Sequence, residues 1–258
     1  MAIRTTAIVN MKGGVAKTTT AINMAAILAK DHGRRVCIVD GDSQCNTTEF
    51  FGIDSAPSAN LAKVLRGAGY YADPGEYAAS CIQKTQYENV DILPGDETLM
   101  DMDLSKVEQG TVNSNVLRYL VETVANRYDH IFIDCPPAFN AASAAALIAA
   151  DDVIIPIKLD AFSLRGMGNL MRQIWNMRRI NPRLKVAGVL PTMWYKDPQI
   201  ADAEKQLREA GLPVFHHIRR SDKVDRMTFQ QEPLLISSPS SAAGVDYRKF
   251  VKEFVGGK

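Results

Sequence analysis

The sequence predicts an α/β protein, built on a mainly parallel, twisted sheet with helices on both faces. Two observations predict this fold. Short Val/Ile-rich runs are typical of strands, and several of them are continuous instead of alternating, as strands buried on both faces are. Longer segments with helical spacing separate these runs, and a repeated strand–helix–strand order implies right-handed crossovers between parallel strands.

The strands are predicted from their apolar runs in chain order. They are Thr6–Asn10, Val36–Asp40, Val90–Pro94, His130–Asp134, Val153–Ile157, Val186–Leu190 and Pro213–His217. The helices between them are predicted from apolar residues at spacings of three and four and from stop signals such as Gly33 and Gly211. They are Thr18–Asp31, Asn113–Asn126, Ala141–Ala149, Arg165–Ile180 and Pro198–Ala210, with a last helix over Asp246–Val255.

Length and composition favour one globular unit. The 258 residues suffice for one substantial core, and 46% hydrophobic with 23% charged residues is an ordinary balance. No Pro/Ser linker separates two cores, so we expect a single domain over residues 1–258, with residues 52–110 as a less regular elaboration in which acids outnumber bases. The formal net charge of +1 does not by itself indicate a partner.

The apolar segments and the cysteines indicate the cellular compartment of the protein. The stretch Ala141–Ala150 is well below the roughly 18–20 residues that span a bilayer, and the first residues show no signal-peptide pattern. We therefore expect a cytoplasmic protein. The cysteines form no C-x-x-C pair, so we expect them to be reduced and packed as small hydrophobic residues: Cys37, Cys45, Cys81 and Cys135.

A phosphate-binding loop is the sharpest signal in the chain. The segment Asn10-Met11-Lys12-Gly13-Gly14-Val15-Ala16-Lys17-Thr18-Thr19 follows a predicted strand and begins a predicted helix. Glycines let the backbone approach phosphate oxygens, and the first N–H groups of the helix point at the anion. Lys17 can reach the β- and γ-phosphates, and the Thr18 hydroxyl is placed to bind Mg²⁺. We predict a Mg-ATP site formed by Lys12, Gly13, Gly14, Val15, Ala16, Lys17, Thr18 and Thr19.

Carboxylates follow two other predicted strands. Asp40 and Asp42 lie just beyond the second strand, at the carboxyl edge of the sheet where ligands of open α/β sheets bind. Asp134 ends the apolar run Ile131-Phe132-Ile133, which is the form of a Walker-B element with its carboxylate near the metal. The predicted metal ligands are Thr18, Asp40 and Asp134.

These motifs together resemble the ParA/MinD family of ATPases with a deviant Walker-A loop. Met11 and Ala16 replace glycines of the G-x-x-x-x-G-K-[ST] pattern, whereas K-G-G-x-x-K-T, with Lys12 as a second lysine, fits better. The similarity covers nearly the whole chain. It includes Asp134-Cys135-Pro136-Pro137, Ser43-Gln44-Cys45-Asn46, Ile155-Pro156-Ile157 and Ile218-Arg219-Arg220-Ser221, and it is closest to the short ParA/Soj-type partition ATPases.

The resemblance implies particular roles. Asp42 orients the attacking water, Asp40 holds Mg²⁺ through its water shell, and Lys12 reaches the phosphates of a partner copy, so that Lys12, Lys17 and Asp42 are catalytic. The backbone around Arg219 and Ser221 frames the adenine. The chain departs from the family where Ser43, Cys45 and Arg219 replace Pro, Gly and Pro, and where Arg226-Met227 replaces Glu-Ala.

Basic residues are concentrated in one region. Residues 161–196 contain seven Lys or Arg and no Asp or Glu, and Arg165, Arg172 and Arg179 are spaced by seven, on nearly one helix face. A second cluster lies nearer the C-terminus. The candidate DNA-binding residues are Arg165, Arg172, Arg179, Arg220, Lys223 and Arg248, and sequence-independent binding to double-stranded DNA phosphates competes with a merely solvated helix face.

Three functions are compatible with these observations. The first is a DNA partition ATPase, nucleoid-associated, that forms a homodimer with ATP and meets a centromere-binding ParB-type protein. The second is a MinD-like membrane-positioning ATPase, which needs a basic amphipathic last helix and which we do not favour. The third is a nucleotide-gated DNA-binding regulator with negligible turnover.

Overall fold

The strands form a single sheet in the part of the chain that the structure, a computed structural model, describes: residues 3–54, 59–67 and 72–256. They are β1 (Arg4–Ile8), β2 (Val36–Asp40), β3 (Gln83–Lys84), β4 (Val90–Leu93), β5 (His130–Asp134), β6 (Asp152–Lys158) and β7 (Lys185–Thr192). Their order is β3-β4-β2-β5-β1-β6-β7, and every neighbouring pair is parallel except β3 with β4. The predicted α/β fold is confirmed.

Helices cover both faces of this sheet. They are α1 (Lys17–His32), α2 (Asn46–Phe50), α3 (Leu61–Gly67), α4 (Pro74–Ser80), α5 (Leu104–Glu108), α6 (Val116–Thr123), α7 (Ala141–Ala149), α8 (Ala161–Met177), α9 (Pro198–Glu209), α10 (Asp222–Gln230), α11 (Leu234–Ser237) and α12 (Ala242–Gly256). A short 3₁₀ helix spans Glu97–Asp101. None of the helices in the described ranges has the length and apolar character needed to cross a bilayer.

The continuous apolar runs of the strands are explained by two cores. Alternate residues of one strand enter opposite clusters: Ile133 packs with α6, α7 and α8, whereas its neighbour Phe132 packs with α1 and α12. The same division separates Val39 from Ile38 on β2. Because both faces are covered, both sets of side chains must be apolar, which is why these strands lack alternation.

Several elements differ from their prediction, including the last helix, which begins at Ala242 instead of Asp246. The strand expected at Pro213–His217 is wrong as a continuous strand, because within this segment only Val214 forms an isolated bridge, to Val189 of β7. Pro213 has no N–H to donate, and the His216 N–H bonds to the Glu253 carboxylate at 2.9 Å instead of to β7. Helix α8 begins four residues before the predicted Arg165, because the Asp160 carboxylate caps it by accepting the Ser163 N–H.

The described residues of segment 52–110 supply the edge of the sheet that ends in β3. It contributes β3 and β4, the helices α3, α4 and α5, and the 3₁₀ helix. Three of the four cysteines are buried, including Cys135 beside the end of β5, and Cys45 is half-buried; all four are free thiols.

Candidate functional site

The phosphate loop lies at the carboxyl end of β1 and leads directly into α1. Gly14 and Ala16 both have φ of +67°, in the left-handed region, and these two reversals turn the chain from the strand into the helix. No side chain caps the first turn of α1. Its leading N–H groups are therefore left without a side-chain acceptor, in the arrangement that binds phosphate.

Neighbouring strands hold this loop in place. The Asn10 amide donates to the Pro156 carbonyl of β6 at 2.7 Å, and its oxygen accepts the Lys12 N–H at 3.0 Å. On the other side, the Thr192 hydroxyl at the end of β7 donates to the Val15 carbonyl at 3.2 Å. The backbone of the loop is thus fixed before any ligand binds.

Lys17 is turned into the loop. Its residue is 7% exposed, and its Nζ donates to the Lys12 carbonyl at 3.3 Å. Burial lowers the pKa of this ammonium, and the nearby Asp134 and Asp42 carboxylates oppose that shift. A cation held inside a ring of backbone groups is placed to meet phosphate oxygens in the same ring.

Asp134 is the candidate metal ligand with an available oxygen. Its Oδ2 accepts the Thr18 hydroxyl at 2.6 Å and the Thr47 hydroxyl at 2.8 Å, while its Oδ1 has no hydrogen-bond partner among the described residues although it is buried. Burial raises the pKa of this carboxyl to about 6. A hard dication is satisfied by carboxylate and hydroxyl oxygens, so Asp134 and Thr18 fit Mg²⁺.

Asp40 is engaged differently from Asp134, although the two are register partners on adjacent strands. Its Oδ2 accepts both the N–H and the hydroxyl of Thr48, at 2.8 and 2.7 Å, and its Oδ1 accepts the Asp42 N–H at 3.3 Å. Burial, followed by the charge of Asp134, raises the pKa of Asp40 to about 7. In this structure Asp40 therefore holds the turn that contains Asp42.

Asp42 lies in that turn beside the phosphate loop. It is 8% exposed, and its Oδ1 accepts the Gln44 N–H at 3.0 Å. It is close enough to Lys17 to act on its charge, as Asp134 is. The structure therefore brings together Lys17, Thr18, Asp42 and Asp134, residues predicted from three separate strand ends.

Lys12 lies on the outer side of the loop. Its Nζ donates to Asp160 Oδ2 at 2.7 Å, to Asp160 Oδ1 at 3.0 Å and to the Ser163 hydroxyl at 3.0 Å. Burial opposes ionisation of Asp160, but the hydrogen bonds from Lys12 and Ser163 outweigh it and lower the pKa of the carboxyl to about 2. In the described chain this second lysine is held at the start of α8.

The predicted adenine-framing residues have other contacts through their side chains. Arg219 binds the buried Asp246 of α12 through Nε at 2.7 Å and Nη2 at 2.8 Å, and its own N–H donates to the same carboxylate at 3.0 Å. Ser221 caps α10 by accepting the Lys223 N–H. The Arg219 guanidinium therefore anchors its loop to α12, and what these two residues still offer an adenine is their backbone.

The candidate DNA-binding residues fall into separate groups. Arg165, Arg172 and Arg179 are all exposed along α8 and the turn that follows it. Arg220 is exposed and Lys223 is half-buried near the start of α10. Arg248 on α12 is paired with Asp31 at 3.0 Å and also donates to the Pro239 carbonyl.

Sequence reasoning missed several residues of the site. Thr47 and Thr48 bind the two strand-end carboxylates, and Asp160 with Ser163 holds Lys12. The adjacent threonines soon after the paired aspartates were a usable signal for the first two. Asp160 offered a weaker one, since it follows a strand and precedes a helical pattern.

A cavity of about 450 Å³ opens beside the first turn of α1. Its lining includes Thr18 and Thr19 on one side, Phe50 of α2 on another, and Met227 of α10 opposite. A fixed anion-binding loop at the carboxyl edge of a parallel sheet, a buried lysine and a Thr–Asp pair together define a P-loop nucleotide-binding protein.

Comparison with known proteins narrows this class. A family model described as an AAA domain matches residues 3–186. The chromosome partitioning protein ParA of Caulobacter vibrioides is 33% identical over 260 aligned positions, covering 98% of this chain and 94% of that protein. The sporulation initiation inhibitor protein Soj of Bacillus subtilis is 32% identical over 238, covering 91% and 87%. The chain belongs to the ParA/MinD family of deviant Walker-A ATPases.

Solved structures share this fold. Cobyrinic acid a,c-diamide synthase of Mycobacterium smegmatis, with bound ADP and magnesium, superposes with a TM-score of 0.80 at 28% identity, covering 98% of this chain and 94% of that chain. The septum site-determining protein MinD of Pyrococcus horikoshii, complexed with Mg-ADP, has a TM-score of 0.74 at 24% identity, covering 97% and 95%. The latter likeness shows the fold alone.

Proposed function

We propose that this protein is a Mg-dependent ATPase of DNA partition. ATP drives two copies into a sandwich dimer, the dimer binds double-stranded DNA without sequence preference, and hydrolysis, stimulated by a centromere-binding ParB-type protein, releases it. The names of the relatives ParA and Soj support this proposal, and the ADP and magnesium bound to the Mycobacterium smegmatis protein support the choice of ligands. Association with the nucleoid follows from DNA binding.

One observation carries the proposal: a single phosphate loop presents two lysines in opposite directions. Lys17 is buried and donates into the loop, whereas the Lys12 side chain is 39% exposed on the outer side. ATP carries more negative charge than ADP. A lysine supplied by a second copy is attracted to that charge and offsets the charge that develops in the transition state.

The remaining roles follow from the contacts. The N–H groups of the loop and Lys17 bind the phosphates, and Asp42, fixed by Asp40 through the intervening turn, orients the attacking water. Thr18 and Asp134 would hold Mg²⁺, which would neutralise part of the phosphate charge. Because Thr47 donates to the same Asp134 oxygen as Thr18, it fixes the direction in which the carboxylate presents its other oxygen.

The exposed arginines of α8 and of the turn after it form the proposed DNA surface. Arg165, Arg172 and Arg179 lie in a stretch with no acidic residue, so their field is not cancelled along the helix. Phosphate contacts of this kind give affinity without sequence information.

A membrane-positioning role is less compatible with α12. Its large apolar residues, Tyr247, Phe250 and Phe254, are at most 2% exposed because they pack against the sheet and α1. The apolar face that a membrane helix would insert is thus already used in the core. Co-sedimentation with liposomes in the presence of ATP distinguishes the two functions, and a phosphate-release assay distinguishes both from a regulator without turnover.

The proposal is tested by a DNA gel shift with ATP, with ADP and without nucleotide. We expect a shift with ATP and Mg²⁺ only, and its loss in Lys12→Ala. Lys30→Ala, which removes an exposed lysine at the far end of α1, is the matched control and should bind as the wild type does. An equal shift with ADP, or an undiminished shift in Lys12→Ala, would contradict the proposal.

A further inference from the structure

The ammonium of Lys12 is fully occupied within its own chain. A lysine ammonium has three N–H donors. The three acceptors around Lys12 Nζ are the two carboxylate oxygens of Asp160 and the hydroxyl of Ser163, at 2.7 to 3.0 Å. While these contacts last, Lys12 cannot donate to a phosphate.

The acceptors of Lys12 are themselves held by the fold. Asp160 follows β6 and caps α8, and its Oδ1 accepts the Ser163 N–H at 2.8 Å as well as the lysine. Because β6 and β1 are parallel neighbours, their carboxyl ends place Asp160 beside the phosphate loop. The Lys12 and Asp160 side chains are 39% and 30% exposed, so water screens the pair and a more strongly charged anion can displace it.

We infer that Asp160 and Ser163 are positioning residues that hold Lys12 in reserve until a triphosphate competes for it. The inference rests on the proposed function, in which Lys12 leaves its own chain to bind the nucleotide of a second copy. The inference adds to that function a higher ATP concentration that is needed before dimers form. The ion pair must be broken for each dimer formed, so Asp160 raises the ATP concentration at which dimers appear.

Asp160→Asn tests this threshold with little structural change. Asparagine is as good a helix cap as aspartate, so α8 should keep its first turn while Lys12 loses its counter-charge. We expect the ATP concentration at half-maximal dimer formation, measured by light scattering with Mg²⁺, to fall roughly two- to fivefold. Ser163→Ala, which removes one of three acceptors, should shift it in the same direction by less.

Asp197→Asn is the matched control. Asp197 caps α9 by accepting the Gln199 and Ile200 N–H groups, so the substitution removes the same charge from the same kind of position. Its dimerisation midpoint should equal that of the wild type. A midpoint for Asp160→Asn that equals the control, or lies above it, overturns the inference.

Chemical labelling separates this inference from the proposed function. In nucleotide-free protein, a lysine acylating reagent followed by mass spectrometry should modify Lys12 several times faster in Asp160→Asn than in the wild type or Asp197→Asn. Equal rates overturn the inference, whether or not ATP forms dimers. A wild type that labels as expected but forms no dimer with ATP and Mg²⁺ instead overturns the proposed function.

Discussion

Two residues of the site occupy left-handed backbone where the corresponding patterns have glycine. Ala16 precedes Lys17 with φ of +67°, and Cys45 precedes α2 with φ of +52°. The sequence shows both departures, yet both residues have a positive φ in this structure. A β-carbon in this region crowds the following carbonyl oxygen, at a cost of roughly 1–2 kcal/mol. The loop geometry is therefore maintained by the surrounding contacts, including those of Asn10 and Thr192.

Relief of this strain should be measurable at Ala16. We expect Ala16→Gly to leave the free energy of unfolding of the nucleotide-free protein unchanged or raise it by up to about 1 kcal/mol, because the gain outweighs the greater freedom of the unfolded chain. Urea denaturation measures it. Ala201→Gly in the exposed part of α9 is the control and should cost about 1 kcal/mol, since φ there is helical. Equal losses in the two variants would show that Ala16 is unstrained.

The strand-end carboxylates show how much about individual site residues could be predicted from the sequence. Spacing alone placed Asp40, Asp42 and Asp134 at one edge of the sheet, and the structure brings them there. Sequence could not show which of the two carboxylates keeps an oxygen without a hydrogen bond, because that depends on donors elsewhere in the chain. Thr48 and the Asp42 N–H donate to the two oxygens of Asp40, so both are engaged. Thr47 and Thr18 instead donate to a single oxygen of Asp134.

At the scale of elements, six of the seven described strands were predicted from their apolar runs, and the edge strand β3 was not. Central strands such as β2 and β5 are buried on both faces, so their continuous apolar runs set their limits. The edge strand β3 has two residues, neither of them apolar, and exists because its backbone pairs with β4. Such an element leaves no pattern to detect.

The contact between β5 and α12 predicts a pH dependence. His130 at the start of β5 is 9% exposed, its ring stacks on Phe132, and its Nδ1 has no partner among the described residues. Burial, reinforced by the charge of Arg4, lowers the pKa of His130 to about 4. The unfolded chain therefore binds a proton near pH 6.5 that the folded chain does not. The stability present above pH 6.5 is lost as the pH falls through about 4.

We expect this single histidine to account for a loss on the order of 2 kcal/mol between neutral pH and pH 4. In His130→Phe that part of the slope should disappear, while the carboxylates continue to titrate. Urea denaturation of nucleotide-free protein over this range measures the difference. His32→Phe, at the exposed end of α1, should keep the wild-type slope. A slope that persists in His130→Phe would place the acid sensitivity elsewhere.

At the scale of the whole molecule, the charge is uneven although the net charge is +1. The asymmetry was visible in the sequence as a stretch of α8 and its following loop without acids. The partners of the charges were not visible, since they come from distant segments. Arg248, a candidate for DNA binding, is paired with Asp31 across 217 positions. Arg165 instead lies over the ring of its neighbour Phe162 and stays exposed.

This asymmetry sets the salt dependence of the proposed DNA binding. Arg165 and Arg172 are about 10 Å apart along α8, given a rise of 1.5 Å per residue, and Arg179 lies in the turn after it. Two copies present six arginines. If each neutralises one phosphate, log K should fall against log salt with a slope contribution of about −5. Replacing the three arginines by alanine should therefore flatten the slope by about 2 to 5 and weaken binding to unrelated DNA sequences equally.

Fluorescence anisotropy with ATP and Mg²⁺, at salt concentrations from about 50 to 200 mM, measures this slope. The control removes an equal charge from other helices, α3, α5 and α6, by Lys63→Ala, Lys106→Ala and Arg118→Ala together, and should change the slope by less than about 1. Since both triple variants alter the net charge equally, a difference between them can only arise from where the charges lie. Equal slopes would mean that the field of the whole molecule, not the face of α8, attracts the DNA, and the proposed surface would be wrong.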